Sequence, residues 1–76
     1  MTLYEFNLLD SLNGKMNAVN EYGIYIDNHV TLKERCNLYA INMFFVEVVY
    51  NPQTNKIENI NSFKTGYLLD KYSIEF

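Results

Sequence analysis

The chain predicts an α+β domain in two layers: an N-terminal helix or helix pair, a four-stranded antiparallel meander and a short C-terminal helix. Three observations carry that expectation. Apolar residues recur at helical spacing between Leu12 and Tyr22; four short β-type runs follow between Ile24 and Phe63; and the stretch 37–64, NLYAINMFFVEVVYNPQTNKIENINSFK, reads as three consecutive antiparallel strands. With 76 residues there is room for one small domain spanning 1–76 and no second one.

Taken in order, Thr2-Leu3-Tyr4-Glu5 fits a capping box, with Tyr4, Leu8 and Leu9 on one face of the short helix it starts. Ser11 can cap a second helix. Its stripe is Leu12, Met16, Val19 and Tyr22, and Gly23 is placed to end it in a left-handed conformation. Asn13-Gly14 is a hairpin signal elsewhere, but no period-two runs flank it here, so it reads as a poor first helical turn.

Ile24-Tyr25-Ile26-Asp27 alternates as a first strand, and the polar, aperiodic stretch 28–35 reads as a loop. Strands two and three are expected over 35–41 and 44–50, joined by Asn42-Met43 in a tight turn of undetermined type. The turn at 51–55 is the clearest local signal. Asn51 can cap it, Pro52 presets φ, and Asn55 can take the left-handed position. In strand four Ile57, Ile60 and Phe63 are spaced by three, which a plain strand cannot keep on one face, so a β-bulge near Asn59 is expected. Thr65 can then cap a last helix carrying Leu68, Leu69 and Tyr72, followed by a tail over 73–76.

Pairing Ile41 with Phe44 sorts the sheet into two faces. Asn37, Tyr39, Ile41, Phe44, Val46, Val48 and Tyr50 form the larger apolar set and are assigned to the helices. Cys36, Leu38, Ala40, Phe45, Glu47 and Val49 form the other. A register slip of one residue exchanges the two faces.

The hairpin FFVEV/YNPQTNKI, followed by SFK-TGY-LLDKY, resembles a group of short bacterial proteins in which a helix, a Gly-ending turn, an NLYA-like strand, this hairpin and an LL-x-x-Y tail recur in order. The resemblance covers most of the chain from Leu12 to Tyr72. It implies a fold and attaches no activity, cofactor or catalytic residue. Where such sequences carry Glu-Lys early in the helix, this one has Asn13-Gly14-Lys15.

Composition narrows function by exclusion. The net charge of −3 argues against non-specific binding to nucleic acid or anionic membranes, which needs a positive footprint. No apolar run is long enough for a membrane span, and the first ten residues lack the basic and apolar regions of a signal peptide. One cysteine excludes an internal disulfide framework and fits a reducing, cytoplasmic setting. Asparagine is frequent, which fits AT-rich coding as well as it fits chemistry.

Sites of chemistry are sparse. His29 is the only histidine, so no histidine metal cluster or Ser-His-Asp set is available within one chain, and Asp27 beside it makes no site. Cys36 alternates into the sheet and reads as a small hydrophobe. Glu47 and Glu58 read as solvated sheet charges, and Lys56, Lys64 and Lys71 with Tyr67 and Tyr72 are offset by Asp70 and Glu75. The three glycines are too far apart to cradle a phosphate. No enzyme activity, cofactor or metal is expected.

What remains is a surface. Leu38, Phe45 and Val49, with Tyr25 beside them and Glu47 among them, are expected to form an apolar, charge-rimmed patch opposite the helices. The expected contact set adds His29, Lys33 and Arg35 from the 28–35 loop. The reading is a protein-interaction module, in the class of small acidic inhibitors of basic nucleic-acid-handling effectors that includes anti-CRISPR proteins. The alternatives are a homodimer of structural or regulatory role and a small-ligand-binding domain.

Overall fold

The computed structural model describes residues 1–64; the helix expected after Thr65 and the tail lie outside them. Two helices, α1 (Leu3–Asn7) and α2 (Leu12–Tyr22), precede four strands: β1 (Ile24–Val30), β2 (Arg35–Ile41), β3 (Phe44–Tyr50) and β4 (Ile57–Phe63). The strands make one antiparallel sheet in the order β1-β2-β3-β4. The α+β meander read from the sequence is the fold.

α1 starts where the capping box puts it. The Thr2 hydroxyl accepts from the Glu5 N–H at 3.1 Å, and the Glu5 carboxylate accepts from the Thr2 N–H at 2.9 Å. Those bonds from Thr2, backbone first, hold the Glu5 carboxyl below the usual carboxylate range. The inward face differs from expectation. Phe6 is fully buried, with Leu3 and Leu9 packed beside it, while Tyr4 and Leu8 point to solvent. A helix this short has no long stripe to set its rotation; the Phe6 ring, 5.7 Å from that of Phe44, sets it instead.

α2 begins at the Ser11 cap, whose hydroxyl accepts from the Gly14 N–H at 3.0 Å. Met16, Ala18 and Val19 meet the core; Leu12 and Tyr22, at the two ends of the expected stripe, are exposed. Gly23 ends the helix, but in extended backbone (φ −80°, ψ 144°) rather than the left-handed form. What Gly23 supplies is space. A Cβ there would lie 2.5 Å from the Val19 carbonyl oxygen, to which the Gly23 N–H donates at 2.8 Å. The chain can therefore pass directly from helix into β1.

β1 is longer than its sequence advertises. Asn28, His29 and Val30 pair with Asn37, Cys36 and Arg35, so the expected 28–35 loop shrinks to 31–34. An edge strand tolerates polar residues, which is why hydropathy alone misses its second half. The remaining turn is tied by Thr31, whose hydroxyl accepts from the Lys33 and Glu34 N–H groups. At the β2–β3 turn Asn42 takes a positive φ of 54° and Met43 does not, so this is not the type I′ pair of left-handed residues.

The 51–55 turn forms as read. The Asn51 side chain accepts from the Gln53 and Thr54 N–H groups, and Asn55 sits at φ 60°. In β4 the pairing shifts so that Glu58 is the extra residue, next to the expected position. The bulge repairs one interval only. Ile57 and Ile60 share the helix side, and Phe63 goes to the other face.

The core lies between helices and sheet: Phe6, Ala18 and Val19 against Ile41, Phe44, Val46, Val48 and Ile60. The opposite face holds a second cluster, Cys36, Leu38 and Val49, with Ile26, Phe45 and Phe63 packed around it.

Candidate interaction surface

The helix-facing side of the sheet is only part covered. Alternation puts Tyr25, Asn28 and Val30 of β1, Arg35, Asn37 and Tyr39 of β2, and Tyr50 of β3 on that side. α1 and α2 pack mainly across β4 and β2. Away from them Tyr25 is 54% exposed, Asn28 and Val30 are exposed, and Arg35, Asn37, Tyr39 and Tyr50 are half-buried.

These residues touch one another in series. Tyr25 lies directly opposite Tyr39 in the pairing, and their rings meet edge-on at 5.8 Å and 73°. The Tyr50 hydroxyl is hydrogen-bonded to the Asn37 side chain and lies within electrostatic reach of the Tyr39 phenol. Arg35, first in β2, faces Tyr50, last in β3, so its guanidinium stacks 4.9 Å from that ring. The Arg35 Nη2 donates to the Asn55 side-chain oxygen, which the left-handed turn holds in place. The buried Arg35 Nε has no acceptor among the described residues.

The electrostatics follow from this packing. Partial burial, then the neighbouring Tyr39 phenol, raises the Tyr50 pKa above the usual 10.0, against the opposing pull of Arg35 and the Asn37 bond. Tyr50 stays a neutral phenol through the physiological range.

The residues expected at a partner surface fall into two places. Leu38, Phe45, Glu47, Val49 and His29 share the face opposite the helices, His29 directly across from Cys36. Tyr25 and Arg35 do not join them. The β1 irregularity after Tyr25 and the Arg35–Tyr50 pairing leave both on the helix-facing side. Lys33 stands apart in the 31–34 turn, exposed.

The opposite face is also closed where it was expected to be open. Leu38 is 0% and Glu47 2% exposed. Glu47 is not a solvated sheet charge. Its carboxylate accepts from Asn61 Nδ2 at 3.1 Å, and Asn61 accepts in turn from Asn59 Nδ2. The Cys36 thiol, fully buried, donates to the Glu34 carboxylate at 3.5 Å. Phe45 stacks on Phe63 at 5.9 Å.

Asn37, Tyr39 and Tyr50 take the helix-facing side as expected, but only half-buried, with Tyr39 and Tyr50 packed against the edge of the core cluster. A signal for this was present. They are the hydrogen-bonding members of an otherwise aliphatic and phenyl set, and a tyrosine hydroxyl or an asparagine amide needs water or a partner.

Among the described residues there is no cavity and no group of three or more metal-ligating side chains. No described helix is long and apolar enough to cross a membrane. No family model matches the chain, and neither does any curated protein or solved structure.

Proposed function

We propose that the chain is a non-enzymatic protein-interaction module that grips a protein partner through Tyr25, Tyr39, Tyr50 and Arg35. One observation carries this reading: Tyr25 on Tyr39 and Arg35 on Tyr50 make two ring contacts side by side on the helix-facing side of the sheet, Tyr25 exposed and the other three half-buried at the edge of the core. Tyr and Arg dominate binding hot spots because they bury large area with few rotors and keep a polar end. Here the rotors are already restrained, Tyr25 by Tyr39 and Arg35 by Tyr50 and Asn55. Restraint before binding lowers the entropy cost of binding.

The partner class follows from charge. A chain at −3 is drawn to a basic protein, and nucleic-acid-handling enzymes are the common basic class, so the role that fits is a small acidic inhibitor of such an effector.

A photo-crosslinking side chain placed singly at Tyr25, Tyr39, Tyr4 and Tyr22 in the cells that make the protein tests the proposal. Tyr4 and Tyr22 are exposed tyrosines on the helices and serve as controls. The expected result is a heteromeric adduct with a basic protein from Tyr25 and Tyr39 and none from the controls. Equal yields at all four sites, or an adduct at twice the chain mass alone, contradict it; the second outcome marks a homodimer.

A further inference from the structure

Both outer strands of the sheet carry the same three-residue device. In β1 the register shifts between Tyr25 and Asp27, which leaves Ile26 as the extra residue; Asp27 follows, and its Oδ1 accepts from the Asn28 N–H at 2.8 Å. In β4 Glu58 is the extra residue; Asn59 follows, and its Oδ1 accepts from the Ile60 N–H at 2.9 Å. Each strand thus has a bulge, then a short oxygen-bearing side chain, then a backbone donor taken by that oxygen.

Hydrogen-bond alternation fixes where those two donors point. Along an antiparallel pair, successive residues face alternately towards the partner strand and away from it. The Thr31 N–H donates to the Glu34 carbonyl across the turn, so Thr31, His29 and Asp27 face β2, and Asn28 and Val30 face outward. The Asn51 N–H donates to the Lys56 carbonyl, so Asn51, Val49 and Glu47 face β4. Asn59 and Asn61, the partners of Val49 and Glu47, face back, and Ile60 between them faces outward. β1 and β4 are the outermost of the four described strands, so both captured donors lie on the sheet's edges.

We propose that Asp27 and Asn59 close these edges to pairing with a further strand. An edge strand recruits another through its outward N–H and C=O groups. Here an outward donor near the middle of each strand is already taken. The oxygen that takes it is an acceptor, in Asp27 part of a carboxylate, so it repels the carbonyl that an incoming strand would aim at the same N–H. The bulge just before it twists each strand away from a flat pairing. The Asn59 amide is held in place for this role: its Nδ2 donates to Asn61 Oδ1, and Asn61 Nδ2 donates to the buried Glu47 carboxylate. On β1 the need is plain, because Ile24, Tyr25 and Val30 are all more than half exposed along an edge of high β-propensity. Binding then falls to side-chain surfaces, not to strand addition.

Amide hydrogen exchange on the full chain tests the captured donors. Asp27→Ala should speed exchange at Asn28 about tenfold relative to inward-facing His29, and Asn59→Ala should do the same at Ile60 relative to Asn61, the worth of one hydrogen bond. An unchanged ratio at either site overturns the proposal. Sedimentation velocity tests the closure itself. Asp27→Val with Asn59→Val should form oligomers that the unaltered chain does not form at the same concentration, and Asp27→Asn, which keeps the oxygen, should sediment as the unaltered chain does. A folded double variant that sediments like the unaltered chain contradicts closure, as does equal association by Asp27→Asn. If the pair unfolds the chain, the exchange ratios of the single variants decide.

Discussion

On the half of the helix-facing side that the helices cover, alternating strand positions hold Ile41, Phe44, Val46, Val48 and Ile60. On the other half the same alternation holds Tyr25, Asn37, Tyr39 and Tyr50, with Arg35 at the end. Backbone geometry is common to both halves; side-chain chemistry changes where the helix layer stops. Tyr25, 54% exposed, marks the open part of this side, while Tyr39 and Tyr50 are half-buried where it meets the core cluster. Selection for solubility alone would favour charged residues there. Tyrosines held by one another and by Arg35 are what a binding surface needs.

The sharpest way to break the contrast is to empty the covered half. Phe44 is buried against Phe6, and Phe44→Ala should cost about 3–5 kcal/mol, a large share of a small domain's stability. Urea unfolding checks this; a loss under about 1 kcal/mol would mean the helices do not pack as described.

The junction between the halves is next. Gly23→Ala puts a Cβ against the Val19 carbonyl and should cost about 1–3 kcal/mol, read from the same unfolding curves. A neutral substitution would show that the helix-to-strand passage is looser than the 2.5 Å approach implies.

The open half should respond weakly in stability. Tyr25→Ala loses one edge-on ring contact at a half-exposed site, worth about 0.5–1.5 kcal/mol. A loss as large as that of Phe44→Ala would make Tyr25 a core residue and remove the distinction.

The smallest effect is alkaline. The Tyr50 pKa is higher in the folded chain than the usual 10.0, so the neutral phenol favours the folded state. That contribution is complete below about pH 10 and disappears as pH rises through the folded value. Tyr50→Phe should flatten the decline in melting temperature above pH 10, and an unchanged decline would assign it to other groups.

Much of the fold was legible because local chemistry and pattern agreed. The Thr2–Glu5 capping box, the Asn51 and Asn55 turn, and strands bounded by turns at both ends left little choice. The rest depended on tertiary facts. The polar second half of β1 becomes a strand through its partners on β2, and α1 is too short to declare its inner face. Residues sharing a face were readable; which part of that face stays open was not, because it depends on how far the helices reach. The expectation of an exposed Leu38, Phe45 and Val49 surface failed for a like reason: alternation tells which side a residue takes and not what lies above it.

The most direct test of the Tyr–Arg surface is an affinity series on the partner captured by cross-linking. Tyr25→Ala and Arg35→Ala, compared with Tyr4→Ala and Tyr22→Ala by calorimetric titration, separate the open half from other exposed tyrosines. Losses of about 30-fold or more, near 2 kcal/mol, are expected at Tyr25 and Arg35 and less than about threefold at Tyr4 and Tyr22. Equal losses at all four positions, or none at Tyr25 and Arg35, would contradict it.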